Sequence, residues 1–391
     1  MRRRDELAAL LALAATGWGA NQFAPLVVMY QEVSDVDVVA AQTMFVLYAV
    51  GLVPGLFIGG PLSDRHGRRI VVTCSLVVSG LSTVLLMLGA ASTSWLYIGR
   101  LLAGVSSGAG FSAGTAWVKE VASGTSGARH AVIAMTSGFA LGPLVAGLLS
   151  AAVPHPQVIV YAPHLVITAV AVGLVARGKR AETNATHARG RPIAGHPSTQ
   201  RSLPRDPRFV WIVMPLAPWV FLTASTALAV LPGAIPMSGG DNRALIFSAL
   251  VTPIPAVAGI LVQSLTRRFA EHMRAQITVG FAFAVAGFAV GAWAVAITSL
   301  PGIVSAAVLL GCAYGACQTV GLSEVAQISP PERLGQNTAV YQALTYVGYL
   351  APLPIVMMTR WWSLPTILIA LAVMAAATAA LIWTHARKAS A

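Results

Sequence analysis

The sequence predicts an all-α membrane protein of twelve transmembrane helices, arranged as two pseudo-repeated six-helix bundles. Three observations carry that reading. Hydrophobic residues make up 56% of the 391 positions and charged residues 10%, with a mean hydropathy of +0.74, which leaves too little polar surface for a soluble globule of this size. The apolar residues are gathered into runs long enough to cross a bilayer, for which roughly 20 residues are needed. A polar stretch at 178–207, rich in Arg, Pro, Ser, Thr and His, divides these runs six and six.

The runs fall at 7–30, 39–61, 70–91, 95–118, 130–153 and 157–176, then at 209–232, 243–266, 275–297, 300–328, 336–359 and 362–385. The first follows Met1-Arg2-Arg3-Arg4, a basic start like that of a signal peptide. Its apolar run is long, holds Trp18, Asn21 and Gln22 and offers no convincing cleavage site, so it is expected to stay as the first helix. The expected domains are a first bundle at 1–177, a basic linker at 178–208 and a second bundle at 209–391.

An even number of spans puts both termini on one side. Lys and Arg residues lie at the boundaries on that side, with three exceptions: Arg100 within the fourth run, and Arg243 and Arg360 at the opposite side. The positive-inside rule then makes both termini cytoplasmic, in a multi-pass protein of the cytoplasmic membrane. The net charge of +12 is therefore an orientation signal. Nucleic acid is not an expected partner, since its binders gather basic residues on one water-soluble face. The expected partners are the lipid bilayer and a small-molecule substrate, with the protein acting as a monomer. Cys74, Cys312 and Cys317 fall within apolar runs without a C-x-x-C or a nearby His, so buried inert thiols are expected and no metal or redox site.

The halves echo one another. Lys119-Glu120-Val121-Ala122 matches Ser323-Glu324-Val325-Ala326, and Gly142-Pro143 matches Ala351-Pro352. Duplicated halves of this kind build alternating access, by rocking one bundle against the other around a site near the midplane.

The most informative stretch is Gly59-Gly60-Pro61-Leu62-Ser63-Asp64-Arg65-His66-Gly67-Arg68-Arg69, a charged hinge between the second and third runs. It resembles the loop between helices 2 and 3 of the major facilitator superfamily, and the resemblance covers nearly all of the chain outside the linker. It implies a conformational latch formed by Gly60, Asp64, Arg65, Gly67, Arg68 and Arg69 with Glu120. A carboxylate at a helix end pairs with guanidiniums and backbone donors, and rocking would break such a cluster. A solvated positive loop is the plain alternative. In the second half the equivalent stretch is Leu265-Thr266-Arg267-Arg268-Phe269, with Arg267 where Asp64 stands in the first.

Two further stretches resemble motifs of the family's drug:proton antiporter branch. Gly99-Arg100-Leu101-Leu102-Ala103-Gly104 places an arginine inside the fourth helix, where it either faces the cavity or snorkels to the headgroups. Gly138-Phe139-Ala140-Leu141-Gly142-Pro143, with Gly147 beyond, reads G-x-x-x-G-P-x-x-x-G in the fifth helix; Pro143 bends it and the glycines allow a close seam. The resemblance implies export of small amphipathic compounds driven by proton entry, as in multidrug resistance. The alternatives are a dedicated exporter or facilitator of one metabolite, such as a sugar or amino acid, and a non-transporting receptor or scaffold. No cofactor is expected beyond the proton gradient. An enzyme is not, since Ser, His and Asp are scattered and no nucleotide-binding or metal-ligand motif appears.

Proton-coupling candidates are Glu324, Glu120, Asp64 and His164. Glu324 is expected either to pair with Arg267 or Arg268 at the rim or to be protonatable from the cavity. His164 is buried on the sixth helix, with a structural hydrogen bond as the plain reading. Cavity candidates are Asn21, Gln22, Phe23, Arg100, Trp219, Ser225, Thr226, Tyr314, Gln318, Gln342 and Tyr346, since a cleft of aromatics with a few hydrogen-bonding groups suits amphipathic molecules. The first helix has no acid between Glu6 and Glu32, which tilts the expected substrate away from cations.

Overall fold

Gly67 and a few prolines decide how the apolar runs become helices. The computed structural model describes residues 2–122, 127–177, 206–237, 242–266, 273–330 and 333–388. In the first half the helices are α1 (Arg2–Asn21, resuming as Leu26–Ser34), α2 (Val38–His66), α3 (Arg68–Leu88), α4 (Thr93–Val121), α5 (Gly127–Ala152) and α6 (Pro156–Arg177). In the second half they are α7 (Phe209–Gly233), α8 (Arg243–Val251, then Ile254–Thr266), α9 (Met273–Ala296), α10 (Leu300–Ile328), α11 (Leu334–Tyr349, then Pro352–Met358) and α12 (Leu364–Lys388). Ten of these are long and apolar enough to cross a membrane. Of the other two, α1 is interrupted and begins with charges, while α4 has the length, at 29 residues, but dilutes its hydropathy with glycine, serine and Arg100.

Four runs expected to be unbroken are interrupted: those of α1, α6 (between Ile159 and Ala162), α8 and α11. Proline removes a backbone donor and disfavours helix in the residue before it, and Pro25, Pro163, Pro253 and Pro352 stand at or beside the four breaks. The expected hinge at 59–69 is also much tighter than the sequence suggests. Pro61 is absorbed within α2, so Gly60, Asp64 and Arg65 lie on the last turns of that helix. The corner is made at Gly67, with φ +93°, and Arg68 already begins α3. Asp37 caps α2, its carboxylate accepting from the backbone N–H of Val39 at 2.9 Å and Ala40 at 3.2 Å. Cys74 corrects another expectation: it is exposed, whereas Cys317 is buried.

The repeat is visible as packing. In the first half α2 packs on α4, α3 on α4, α1 on α5 and α3 on α6; in the second, α8 packs on α10, α9 on α10, α7 on α11 and α9 on α12. Each pairing recurs six helices later. One apolar core centres on Leu13, Phe45 and Leu52 and takes in Leu228, Leu245 and Tyr349 from the second half; another, around Leu216, Phe288 and Leu310, belongs to the second half alone.

Small residues set the tightest seams, because membrane helices associate through close van der Waals contact. Gly51, Gly55 and Gly59 of α2 lie on the backbone of Leu101, Val105 and Ala109 in α4, and Gly104 and Gly108 of α4 lie on the carbonyls of Tyr48 and Leu52 in return. In the second half Gly311 and Gly315 of α10 press on Pro255 and Gly259 of α8. In α5, Gly138 and Gly142 close on Ala14 and Trp18 of α1.

These seams predict unequal tolerance. Gly104→Ala would drive a methyl into the Tyr48 carbonyl and to 2.8 Å from the Leu52 nitrogen. It should destabilise the protein by about 1–3 kcal/mol, as overpacking does. Gly173→Ala, with nothing within 4 Å of the new methyl, should be neutral. Thermal unfolding of the two purified variants checks this.

Candidate functional site

Among the described residues, charges at the end of the molecule that holds the termini form a cluster in each half. In the first, Arg68 at the start of α3 reaches Asp64 on α2 at 2.6 Å and Glu120 at the end of α4 at 3.0 Å, and donates to the Ser63 hydroxyl at 2.5 Å. Arg69 donates to the carbonyls of Val175 and Ala176, where α6 ends and its partial negative charge favours a cation. The motif thus ties α2, α3, α4 and α6 to one another. Asp64 and Glu120 remain 63% and 56% exposed.

The second cluster differs from expectation. Glu324 on α10 is only 2% exposed and pairs with Arg208 at 2.7 Å; the same guanidinium donates to Gln327 at 3.2 Å. Composition places Arg208 in the linker, yet it lies in the helical turn that leads into α7. Arg267 and Arg268 lie outside the described residues. A third pair, missed in the sequence, joins α1 to α5: Glu6 and His130 at 2.9 Å.

Among the described residues, contacts between the halves gather at the opposite end. Gln42 of α2 donates to the Ala229 carbonyl of α7 at 2.7 Å, and Asn242 donates to the Ala151 carbonyl at the end of α5 at 2.7 Å. Ser248 of α8 donates to the Pro25 carbonyl at 3.4 Å. Gly147, the last glycine of the α5 motif, faces Ala249 of α8 so closely that a methyl there would fall 2.5 Å from the alanine's own. Tyr349 of α11 stacks on Phe45 of α2, centroids 4.7 Å apart, and tilts against Tyr48 at 5.9 Å.

Arg100 sits just behind this contact. It is fully buried, which rules out a snorkelling conformer here. The α2–α4 seam brings its guanidinium to the backbone of α2, where Nε donates to the Met44 carbonyl at 3.1 Å and Nη2 to the Phe45 carbonyl at 3.3 Å. Phe23, from the break in α1, and Tyr48 cover it with their rings, at 4.6 and 4.8 Å to the centroids. Tyr30 and Tyr161 share a hydrogen bond of 2.9 Å nearby in the same bundle.

Toward the middle of the molecule, partly exposed aromatics of the second half line up. Phe221 of α7 stacks on Tyr346 of α11 at 4.4 Å and tilts against Tyr314 of α10 at 5.6 Å. Next to them Gln318 donates to Gln342 at 3.3 Å, Tyr341 donates to Gln318 at 3.4 Å and Thr345 to Gln342 at 3.3 Å. From the first half Asn21 reaches the Phe139 carbonyl at 3.5 Å, and Gln22 is buried with its side-chain oxygen unpartnered. The structure therefore brings Tyr314, Gln318, Gln342 and Tyr346 together, and places Phe23 with Arg100.

Other expected cavity residues are used elsewhere. Trp219 lies edge-on to Phe281 and Phe288 of α9, inside the core of the second bundle. Ser225 donates to the Gly348 carbonyl at 3.2 Å across the α7–α11 seam, and Thr226 donates to Leu222 of its own helix at 2.7 Å. His164 bridges three helices: its ring nitrogens meet Thr83 of α3 at 2.7 Å and the Ala15 carbonyl of α1 at 3.2 Å, with Thr168 of its own helix at 3.2 Å. Grooves of about 620 and 510 Å³ open on the outer face of the second bundle, one between α9 and α12, the other bordered by α8, α9 and α10. Both are lined almost wholly by apolar side chains such as Trp383 and Leu261, a surface for lipid chains far from the polar groups above.

The family model described as Major Facilitator Superfamily matches residues 7–352. The chain belongs to the major facilitator superfamily. No curated protein matches it. Among solved structures it resembles a D-xylose-proton symporter, with a TM-score of 0.74, 16% identity and coverage of 97% of this chain and 96% of that one. It also resembles a POT family transporter in complex with 5-aminolevulinic acid, with a TM-score of 0.77, 10% identity and coverage of 98% and 96%. At such identities the likeness is one of fold. Membership makes the protein a multi-pass membrane transporter and not an enzyme, of a class that binds small-molecule substrates within the membrane.

For a transporter of this superfamily the His164 network has a definite consequence. It holds α1, α3 and α6 together within one bundle, so His164→Ala should lower stability by about 1–3 kcal/mol through unsatisfied partners. Transport per folded molecule should change little. Thermal unfolding measured alongside proteoliposome transport separates the two effects.

Proposed function

We propose that this protein is a secondary active transporter that exports small amphipathic organic compounds by alternating access, coupled to proton entry. It sits in the cytoplasmic membrane with both termini cytoplasmic and the segment that ends before Arg208 as a cytoplasmic tether between the bundles. The observation that carries the reading is the uneven distribution of contacts between the halves. The end remote from the termini is shut by Gln42–Ala229, Asn242–Ala151 and the Phe45–Tyr349 stack, whereas the Asp64–Arg68–Glu120 cluster at the termini end joins helices of one half only. This is the arrangement of a cytoplasm-facing state. Asp64 and Arg68 would exchange these contacts for ones to the second half when the bundles rock and the cytoplasmic end closes.

Proton coupling falls to Glu324. Its carboxylate is buried, and its charge is balanced by Arg208 at the junction of tether and α7. Separating the pair would leave a bare buried carboxylate, which takes up a proton in preference to staying charged. The polar set Gln318, Gln342 and Tyr341 favours a second reading, a transporter dedicated to one hydrogen-bonding metabolite. Uptake into proteoliposomes of an amphipathic dye and of sugars and amino acids, with and without an imposed proton gradient, decides between them.

Two substitutions test the roles. Glu324→Gln should abolish gradient-driven export while leaving substrate binding intact, because glutamine keeps the shape and removes the titration; uphill export at the wild-type rate would make Glu324 a structural partner of Arg208. Asp64→Asn should reduce transport at least several-fold with little loss of folded yield, since the exposed Asp64–Arg68 pair adds little to stability. Fluorescence size-exclusion chromatography supplies the yield against which transport is normalised.

A further inference from the structure

A guanidinium is charged at every physiological pH, and burying one costs several kcal/mol unless its charge and its donors are met. Arg100 is 0% exposed, and no carboxylate among the described residues lies within 4.0 Å of it. Two carbonyls take Nε and Nη2, and two rings cover the faces, but Nη1 is buried without a well-aligned acceptor. Next to the guanidinium, and interacting with it, lies the hydroxyl of Tyr349, which is likewise buried and has no other hydrogen-bond partner. Two donors, one of them charged, therefore sit side by side with only each other to meet, behind an apolar wall of Phe23, Phe45 and Tyr48.

We infer that Arg100 and Tyr349 form a seat for the carboxylate of an organic anion, assembled from both bundles when they close at the end remote from the termini. Arg100 belongs to α4 and Tyr349 to α11, so a carboxylate accepting from Nη1 and from the tyrosine hydroxyl bridges the halves. Such charge-assisted hydrogen bonds are about twice as strong as neutral ones, and the dry surroundings leave them unscreened. Gly348, which lets α11 lie against the Pro218 carbonyl of α7, fixes the position of Tyr349 beside it. The partly exposed stack of Phe221, Tyr314 and Tyr346 continues from Tyr349, with Phe221 5.9 Å and Tyr346 6.2 Å from its ring, and would hold the apolar body of the same molecule. The inference rests on the transport reading and names its substrate class: aromatic or amphipathic monocarboxylates.

The test is equilibrium binding to the purified full-length protein, followed by thermal shift and calorimetry. Benzoate, phenylacetate and indole-3-acetate are compared with their amides and with chloride. At least one acid should bind ten-fold or more tightly than its amide and raise the unfolding midpoint in proportion to the logarithm of its concentration. Tyr349→Phe, which removes only a hydroxyl, should weaken that acid about ten-fold while leaving the amide unchanged. Arg100→Lys should weaken it further, because the planar fork is lost. Equal binding of acid and amide, a chloride effect equal to that of the acids, or no binding by any acid overturns the inference. Transport of a neutral amphipathic dye provides the separation: gradient-driven dye export without acid preference removes the carboxylate seat and keeps the transport reading, whereas acid binding without gradient-driven movement of any solute does the reverse.

Discussion

Close approach of α2 and α4 is the constraint from which the rest of the first bundle follows, because it fixes what a permanently charged side chain in the apolar interior can touch. With no side chains at Gly51, Gly55, Gly59, Gly104 and Gly108, the two backbones meet directly, and Arg100 one turn along α4 is delivered to the carbonyls of Met44 and Phe45. A wider spacing would leave the guanidinium short of both acceptors. The same seam sets Tyr48 over the charge and aligns Phe45 to meet Tyr349 from the other half. A packing rule for small residues thus becomes an electrostatic arrangement at the contact between bundles.

The two halves share their packing plan and differ in how they place charge. The first half puts its acids on the rim, where Arg68 gathers Asp64 and Glu120 in partly exposed positions. The second buries the carboxylate of Glu324 and meets it with an arginine from the turn that starts α7. Equivalent helices therefore carry different chemistry on a common frame. The frame is set by glycine and alanine contacts that repeat, and the polar residues are free to diverge.

Much of this was legible in the sequence, for physical reasons specific to membranes. Length and hydropathy locate the spans because a bilayer demands a minimum run, and the echo of Lys119-Glu120 in Ser323-Glu324 marks the duplication that the helix pairings display. The rim cluster was readable because its residues are neighbours along the chain. What needed three dimensions was partnership across the chain: Arg208 with Glu324, Glu6 with His130, Tyr349 with Phe45. Trp219 is ambiguous in sequence because an aromatic at mid-depth has the same local signature whether it faces a cleft or α9. Helix breaks are equally ambiguous because a proline's effect depends on context: Pro61 is absorbed within α2 whereas Pro25 stops α1.

The contrast between rim and interior charges has a consequence for ionic conditions. Mobile ions screen exposed charges over about 8 Å at physiological ionic strength and reach buried pairs poorly. Asp64 and Glu120, largely exposed, feel the salt of the compartment they face, whereas Glu324 at 2% exposure does not. Rising salt therefore loosens the grip of Arg68 on its two exposed carboxylates more than the grip of Arg208, 36% exposed, on the buried Glu324. The two charge clusters thus respond unequally to the composition of their surroundings.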